Sequence, residues 1–362
     1  MKTTISIEGV PQEMLVVQHE VTAFLLQYCQ AQQERARRLA PSYGRLWAAM
    51  CEVLQAGGKR LRPYLFLLAY ESAGGTNRAD MLPVAAAWEL LHTGLLAHDD
   101  IIDRDYVRHG RSNVGGLYRT AYAKLSHNEE DSTHFADGAA LLAGDLFLNA
   151  AQHMILQSGV SDAQKVTATR HVNKAMYEVI AGELLDMEAV MLPLEIVDAR
   201  SIALLKTAVY SMLEPLVAGA DMAGADAETR HALDRFGAAA GLGYQLRDDL
   251  LGVFGDYKKT GKTVVGDLQE AKRTLLMQET FHASSAKDRT QITKLMNEPP
   301  IGESDVVWLK ERIERSGARV AIEAQIADCE QRALHALDDL RLSASTRTKW
   351  LWVVRYALYR DH

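Results

Sequence analysis

Three aspartates, Asp99, Asp100 and Asp103, close a long apolar stretch and form the pattern DDxxD. On a helix, residues four positions apart lie only about 40° apart around the axis, so Asp99 and Asp103 share one face. Neither has a lysine or arginine four residues away, and like charges at this spacing repel each other. Carboxylate oxygens are the ligands that Mg²⁺ and Ca²⁺ prefer. The pattern therefore predicts a divalent-cation site, with a solvated acidic helix end as the alternative.

A second group of aspartates, Asp248, Asp249 and Asp256, follows much later in another apolar stretch. A solvated helix end explains one acidic motif equally well, but it does not explain two that are both flanked by apolar residues. Two such motifs favour an anionic ligand that is held through several divalent cations.

Basic residues accumulate near these motifs and along the rest of the chain. Lys59, Arg60 and Arg62 open an apolar helix, where backbone N–H groups attract anions, although a solvated basic turn is the alternative. Lys206 lies inside an apolar helical stretch, where a charge is unusual unless it has a purpose. His92 lies seven residues before Asp99, on nearly the same face, either as a core histidine or as a contact to a bound anion. Further basic residues near the motifs include Arg108, Arg111, Lys258, Lys259, Lys262, Lys272 and Arg273.

The elements that position these residues are predicted to be helices, because long runs rich in Ala, Leu and Glu carry few β-branched clusters. No linker-like tract divides the chain, so we expect one domain over residues 1–362. The polar stretch at 126–134 is predicted to be a surface loop. Helices are predicted at 13–39, 43–55, 78–102, 135–157, 162–191, 195–222 and 227–254, with three or four amphipathic helices in 287–362.

Composition excludes some classes of function. The net charge of −7 over 362 residues argues against nonspecific nucleic-acid binding. The N-terminal MKTTISIEGV lacks the apolar centre of a signal peptide, and we find no charge-free apolar segment of about 18 residues. Three widely spaced cysteines indicate reduced thiols in a cytoplasmic protein.

Five motifs together resemble the trans-isoprenyl diphosphate synthases, in the order found in that family. They are GGKRLRP at 57–63, ELLHTGLLAHDDIID at 89–103, GD at 144–145, KTA at 206–208 and GYQLRDDLLGVFGD at 243–256. The resemblance covers about residues 30–285. The motif sequences are most similar to those of actinobacterial short-chain geranylgeranyl diphosphate synthases.

The resemblance implies a single-domain, all-α helical bundle around a deep central cavity, with the two Asp motifs facing each other, in a homodimer. It implies a Mg²⁺-dependent enzyme that condenses isopentenyl diphosphate with an allylic diphosphate. The product would be a linear all-trans prenyl diphosphate of twenty carbons, or alternatively a farnesyl or longer polyprenyl diphosphate. Class I terpene cyclases share DDxxD but lack the isopentenyl site that GGKRLRP indicates. Non-catalytic partner subunits typically lose one Asp motif, whereas this chain has both.

The resemblance also assigns roles to individual residues. Asp99, Asp103 and Asp248, supported by Asp249, would hold about three Mg²⁺ ions on the allylic diphosphate. Arg108, Lys206 and Lys262 would bind that diphosphate, while Lys206, Thr207 and Gln245 would face the allylic cation. Lys59, Arg62 and His92 would bind isopentenyl diphosphate, and Lys272 would close over the pocket.

Three positions depart from the family pattern. His109 replaces a second arginine, which would weaken the isopentenyl site or make it pH-sensitive. Glu183 replaces the usual glutamine and adds a negative charge, and Gly252 replaces the third aspartate of the second motif. Gly94, five residues before Asp99, stands where short-chain enzymes commonly carry an aromatic side chain. We therefore expect products longer than fifteen carbons, unless Gly94 only permits close helix packing.

Overall fold

The computed structural model describes residues 11–108, 110–125, 128–255 and 266–360. Its contacts divide into two compact units, one ending at Val172 and the other beginning at Asn173. We describe each unit by itself. The prediction of one domain over the whole chain stays a prediction.

The first unit consists of helices and one small hairpin. Its helices are α1 Gln12–Leu39, α2 Pro41–Gln55, α3 Leu61–Ser72, α4 Arg78–Ile102, α5 Val114–Tyr122, α6 Glu129–Gln157 and the start of α7 Asp162–Ala189. The hairpin joins β1 Val107–Arg108 to β2 Arg111–Ser112, antiparallel, with Val107 opposite Ser112. Sequence analysis did not predict this hairpin, which follows the DDxxD motif directly.

Helices α4 and α6 form the main packing interface of this unit. The buried side of α6 carries Ala136, Ala140, Ala143 and Ala150 at helical spacing. Because alanine is small, the two helices approach closely, and a Cβ at Gly94 of α4 would lie only 3.0 Å from the Gly144 carbonyl oxygen of α6. This packing fixes the axis of the helix that ends in the first Asp motif.

The predicted loop at 126–134 is wrong for residues 129–134, which form the first turns of α6. Asn128 caps the helix by accepting a hydrogen bond from the Asp131 backbone N–H at 2.7 Å. Glu129 and Glu130 follow in the first turn, where the helix dipole favours negative charge. The polar residues that suggested a loop therefore form the N-terminus of a helix.

The second unit is helical throughout its described part. After α7 come α8 Ala199–Ile202, a π-helix Ala203–Leu213, α9 Glu214–Met222, α10 Ala227–Phe254, α11 Gly266–Gln269, α12 Leu275–Ala283, α13 Ala286–Asn297, α14 Glu303–Ser316, α15 Ala318–Asp338 and α16 Ala344–Tyr359. Helix α10 packs on the π-helix and on α15 and α16. The all-α prediction is confirmed, and four helices occupy the region for which three or four were predicted.

In the described part of the chain, two helical stretches, Glu129–Gln157 and Ala199–Met222, are long and apolar enough to span a membrane. Within the apolar windows, 50% and 67% of the residues respectively are buried inside the protein. Core helices of globular proteins meet the same criterion, so the expectation of no membrane segment stays a prediction.

Candidate active site

The first Asp motif lies at the C-terminal end of α4. Asp99 is the fourth residue from the end of the helix, and Asp103 is its C-cap residue, whose N–H donates to the Asp99 carbonyl at 2.8 Å. Asp103 is exposed, and Asp99 is partly exposed. The chain then reverses at Arg104, which adopts a positive φ of 58°. The two carboxylates thus sit one turn apart where the chain leaves the helix, as the spacing predicted.

The hairpin brings Arg108 back to this motif. Its Nη2 donates to Asp99 Oδ2 at 2.8 Å, and its Nε donates to Asp100 Oδ1 at 2.7 Å. Burial of Asp100 raises the pKa of its carboxyl group to about 6, although the guanidinium of Arg108 opposes that rise. Burial lowers the pKa of the Arg108 guanidinium, but the neighbouring Asp100 and Asp99 raise it. The net effect is a pKa above the usual value. The Arg108 guanidinium is therefore a fixed positive charge beside the acidic motif.

The hairpin is itself anchored to its surroundings. The Asn113 side chain donates to the Asp105 carbonyl at 2.7 Å, and Tyr106 donates its hydroxyl hydrogen to Asp137 at 2.8 Å. The guanidinium carbon of Arg119 lies 4.8 Å from the centre of the Tyr106 ring. These contacts define the position from which Arg108 reaches back. His109 lies outside the described residues.

The basic residues in the turn before α3 and in its first helical turn have different environments. Arg60, with a positive φ of 50°, is buried, and its guanidinium donates to Glu89 Oε1 and to the Leu54 carbonyl, both at 2.7 Å. It therefore fastens the turn to α4 and is not presented to a ligand. Lys59 is exposed in the turn, Arg62 is half-buried in the first turn of α3, and His92 is half-buried on α4.

Lys206 lies in the π-helix of the second unit. Its ammonium group contacts Glu183 Oε2 at 3.0 Å and Asp186 Oδ2 at 2.6 Å, both on α7. A Cβ at Gly182 would overlap the Lys206 backbone nitrogen, so glycine at this position permits the close approach. π-helical turns occur frequently at functional sites. The lysine that was unusual in an apolar helix thus has two carboxylates as partners, and Thr207 follows it.

The second Asp motif lies near the end of α10. Gln245 donates from Nε2 to Asp249 Oδ1 at 2.7 Å, and Asp249 is buried. The Asp248 side chain keeps 46% of its exposure and accepts a hydrogen bond from Arg360 Nη2 at 2.6 Å. Asp248 is thus the accessible member of the pair and Asp249 the buried one, and their roles as metal ligands stay predictions. Sequence analysis missed Arg360, because it carries no motif and lies far along the chain from Asp248.

Two other predicted residues belong to the segment between α10 and α12. Lys262, like Asp256, lies outside the described residues. The Nζ of Lys272 lies 3.2 Å from Glu270 Oε2. The neighbouring Arg273 is buried, and its Nη1 donates to the Met296 carbonyl at 2.7 Å. Arg273 thus anchors the chain next to Lys272.

Gly94 occupies a tight place between α4 and α6. A Cβ there would lie 3.0 Å from the Gly144 carbonyl oxygen and 3.1 Å from the Leu148 side chain. Close packing therefore accounts for the glycine by itself, and its predicted effect on product length stays a prediction. Leu91, on the same helix, is fully buried, and Leu95 is half-buried.

The donors present fit Mg²⁺ that is shared with a ligand. Among the described residues, no group of three or more Asp, Glu, His or Cys side chains is arranged to hold a metal by itself. Mg²⁺ is usually bound by one or two carboxylates together with substrate phosphates and water. The pair Asp99 and Asp103 in the first unit matches that kind of site, and the accessible Asp248 in the second unit matches it separately.

Comparison with known proteins identifies the family. The sequence model described as Polyprenyl synthetase matches residues 44–313. A geranylfarnesyl diphosphate synthase of Aeropyrum pernix is 35% identical over 280 residues, which are 76% of this chain and 81% of that protein. A (2E,6E)-farnesyl diphosphate synthase of Mycobacterium tuberculosis is 32% identical over 267 residues, 72% and 68% of the two chains.

A solved structure shows the same relationship. The geranylgeranyl pyrophosphate synthase of Corynebacterium glutamicum, complexed with isoprenyl diphosphate and magnesium, has a TM-score of 0.88 to this chain. The sequences are 29% identical, and the match covers 96% of this chain and 98% of that one. The chain therefore belongs to the polyprenyl synthetase family and is a trans-prenyltransferase with the all-α isoprenoid synthase fold, as its five motifs predicted.

Proposed function

We propose that this prenyltransferase condenses isopentenyl diphosphate with an allylic diphosphate in a Mg²⁺-dependent reaction, and that its product is all-trans geranylgeranyl diphosphate. The observation that carries the proposal is the association of Arg108 with Asp99 and Asp100 at the end of α4. Carboxylates for a divalent cation and a fixed guanidinium at one helix end form a receptor for a diphosphate.

The allylic substrate would bind through its diphosphate. Asp99, Asp103 and Asp248, supported by Asp249, would hold about three Mg²⁺ ions, which stabilise the negative charge that develops on the departing pyrophosphate. Arg108, Lys206 and Lys262 would bind the same diphosphate by charge-assisted hydrogen bonds.

The reaction breaks the bond between the allylic carbon and its diphosphate oxygen. Lys206, Thr207 and Gln245 would face the resulting allylic cation, whose carbon then bonds to the terminal double-bond carbon of isopentenyl diphosphate. Loss of a proton from the adjacent methylene group to the departed pyrophosphate restores a double bond. Water must be excluded while the cation exists, and Lys272 would help to close the site.

Isopentenyl diphosphate would be bound by Lys59, Arg62 and His92, together with His109. Arg60 is excluded from this group because it is buried against Glu89. His109 stands where the family usually has an arginine, and an imidazole would contribute less positive charge at neutral pH than a guanidinium.

Several further features complete the proposal. Similar proteins bear names for farnesyl, geranylgeranyl and geranylfarnesyl products, and twenty carbons is the intermediate length of these three. We propose a homodimer in the cytoplasm, with one domain per chain. An exposed apolar stripe along α7 supports association: Tyr177, Ile180, Leu184 and Met187 recur at three- and four-residue spacing.

One assay tests the proposal. The protein is incubated with Mg²⁺, isopentenyl diphosphate and each allylic starter in turn, and the products are identified by chromatography. Geranylgeranyl diphosphate is the expected main product. A cyclic or dephosphorylated product would indicate a terpene cyclase, and the absence of product with every starter would indicate a non-catalytic partner subunit.

A further inference from the structure

The last described residue of the chain, Arg360, reaches the second Asp motif. It follows α16 directly and is 6% exposed, and its Nη2 donates to Asp248 Oδ1 at 2.6 Å. The residues are 112 positions apart in sequence, so tertiary structure alone joins them.

Arg360 is held in place by α10 itself. Its guanidinium carbon lies 3.5 Å from the centre of the Tyr244 ring, and its carbonyl accepts a hydrogen bond from Arg247 Nε at 2.9 Å. Tyr244 and Asp248 are four residues apart and share a face of α10. The ring and the carboxylate therefore fix the guanidinium at two points, and Arg247 fixes its backbone.

The charge of Arg360 is retained despite its burial. Burial lowers the pKa of the guanidinium, but Tyr244, Asp248 and Tyr356 raise it, and the net effect is a pKa above the ordinary value. Its Nη1 is nevertheless buried without a hydrogen-bond partner among the described residues. An unsatisfied buried donor costs stability, so the contact with Asp248 is not optimised for folding alone.

The two partners differ in accessibility. The Asp248 carboxylate can be reached from solvent, with 46% of its side chain exposed, whereas the Arg360 side chain is almost fully buried. Releasing Asp248 would require the guanidinium to leave its buried position on the Tyr244 ring. An orienting role is thus favoured over a detachable latch.

We propose that Arg360 is a positioning residue that orients Asp248 for the divalent cation. Binding at Oδ1 defines the plane of the carboxylate and presents it to the ion in one orientation. Hydrogen-bond partners of metal-binding carboxylates act in this way, and their loss typically costs about 10- to 100-fold in metal affinity. This inference rests on the proposed function, which makes Asp248 a metal ligand.

The test measures metal affinity without catalysis. Thermal unfolding of the full chain is followed at saturating inorganic pyrophosphate while Mg²⁺ is increased, and the Mg²⁺ concentration for half-maximal stabilisation is recorded. Arg360→Met keeps an unbranched apolar side chain in the buried site, where replacing a buried ion pair is often tolerated. We expect it to raise that concentration about 10- to 100-fold, and Arg360→Lys to recover much of the loss.

The matched control is Arg347→Gln. Arg347 lies in the first turn of α16 and also binds an aspartate, Asp338, at 2.6 Å, so we expect no change in Mg²⁺ dependence. If Arg360→Met lowers the unfolding temperature by the same amount with and without Mg²⁺ and leaves the half-maximal concentration unchanged, Arg360 is a structural anchor and the inference is wrong. Arg360→Gln is judged by the same criterion should the methionine variant not fold.

Asp248→Asn separates the two levels of the argument. If it raises the half-maximal Mg²⁺ concentration and Arg360→Met does not, only the positioning role fails. If Asp248→Asn also has no effect, the assignment of Asp248 as a metal ligand fails as well.

Discussion

The Nε of Arg108 donates to Asp100 Oδ1 at 2.7 Å, and this buried aspartate determines where the arginine stands. Asp100 is the middle carboxylate of DDxxD, and the sequence assigned it no role. Its side chain is directed to the hairpin arginine, while Asp99 and Asp103 occupy the face predicted for metal. The acidic motif thus holds the Arg108 guanidinium through Asp100 and Asp99, in addition to the divalent cation proposed for Asp99 and Asp103.

This relationship predicts a pH dependence of stability. Because the pKa of Asp100 is raised to about 6 in the folded protein, the folded state binds more protons than the unfolded chain between about pH 4 and pH 6. The contribution of Asp100 to the free energy of unfolding therefore falls as pH rises through this window and levels off above it. Asparagine cannot titrate. We measure the free energy of unfolding in urea without Mg²⁺ for wild type and Asp100→Asn. Between about pH 4 and pH 6, that of wild type should fall by about 2 kcal/mol relative to that of the variant. A pH-independent difference would contradict the assignment.

Both Asp motifs are expected to be essential for catalysis. Asp99→Asn and Asp248→Asn should each lower kcat by at least about 100- to 1,000-fold at saturating Mg²⁺, because each removes charge stabilisation that is realised mostly in the transition state. The control is Asp162→Asn at the start of α7, whose side chain is fully exposed. Near wild-type turnover in either motif variant would show that its carboxylate is not a metal ligand.

Arg60 and Arg62, two residues apart, should respond differently to substitution. Arg62→Ala is expected to raise KM for isopentenyl diphosphate about 10-fold, with less effect on the allylic substrate, because a charge-assisted contact is worth about 1.5–3 kcal/mol. Arg60→Ala should instead destabilise the fold by about 3–5 kcal/mol, since it leaves Glu89 buried without its partner. Steady-state kinetics and thermal unfolding of both variants test this division. An equal rise in KM for both substrates in Arg62→Ala would refute it.

Glu183→Gln should strengthen binding of the allylic diphosphate. The carboxylate lies 3.0 Å from the Lys206 ammonium group and competes with an incoming diphosphate for it. Partly exposed ion pairs are worth up to about 1 kcal/mol, so KM for the allylic substrate should fall by up to about fivefold. Asp186→Asn serves as the comparison, because Asp186 binds the same lysine at 2.6 Å. An increase in KM in Glu183→Gln would show that Glu183 orients Lys206 productively.

Gly94→Phe tests the origin of product length. The sequence predicts a shift from twenty carbons to fifteen, but the contact of this position with the Gly144 carbonyl also predicts a stability loss of about 1–3 kcal/mol from overpacking. Leu95→Phe places the same ring on the half-buried neighbouring position. The products are therefore identified by chromatography only after thermal unfolding has shown that the variant is folded. A folded, active Gly94→Phe enzyme with unchanged products would place the chain-length limit elsewhere.

The sequence by itself determined the helical class, the family and the positions of both acidic motifs. Helical periodicity and the spacing of Asp99 and Asp103 are local properties of the chain, so they can be read without coordinates. The motifs GGKRLRP and KTA indicated Lys59, Arg62 and Lys206 in the same way.

Tertiary structure decided which charges are partnered and which are presented. Arg60 and Arg62 are equally basic in sequence, yet Arg60 is buried against Glu89. Glu183 and Asp186 became partners of Lys206 only because α7 approaches the π-helix at Gly182. Arg360 meets Asp248 from the far end of the chain. Burial and long-range ion pairing depend on how distant helices pack, and local sequence spacing carries no information about that packing.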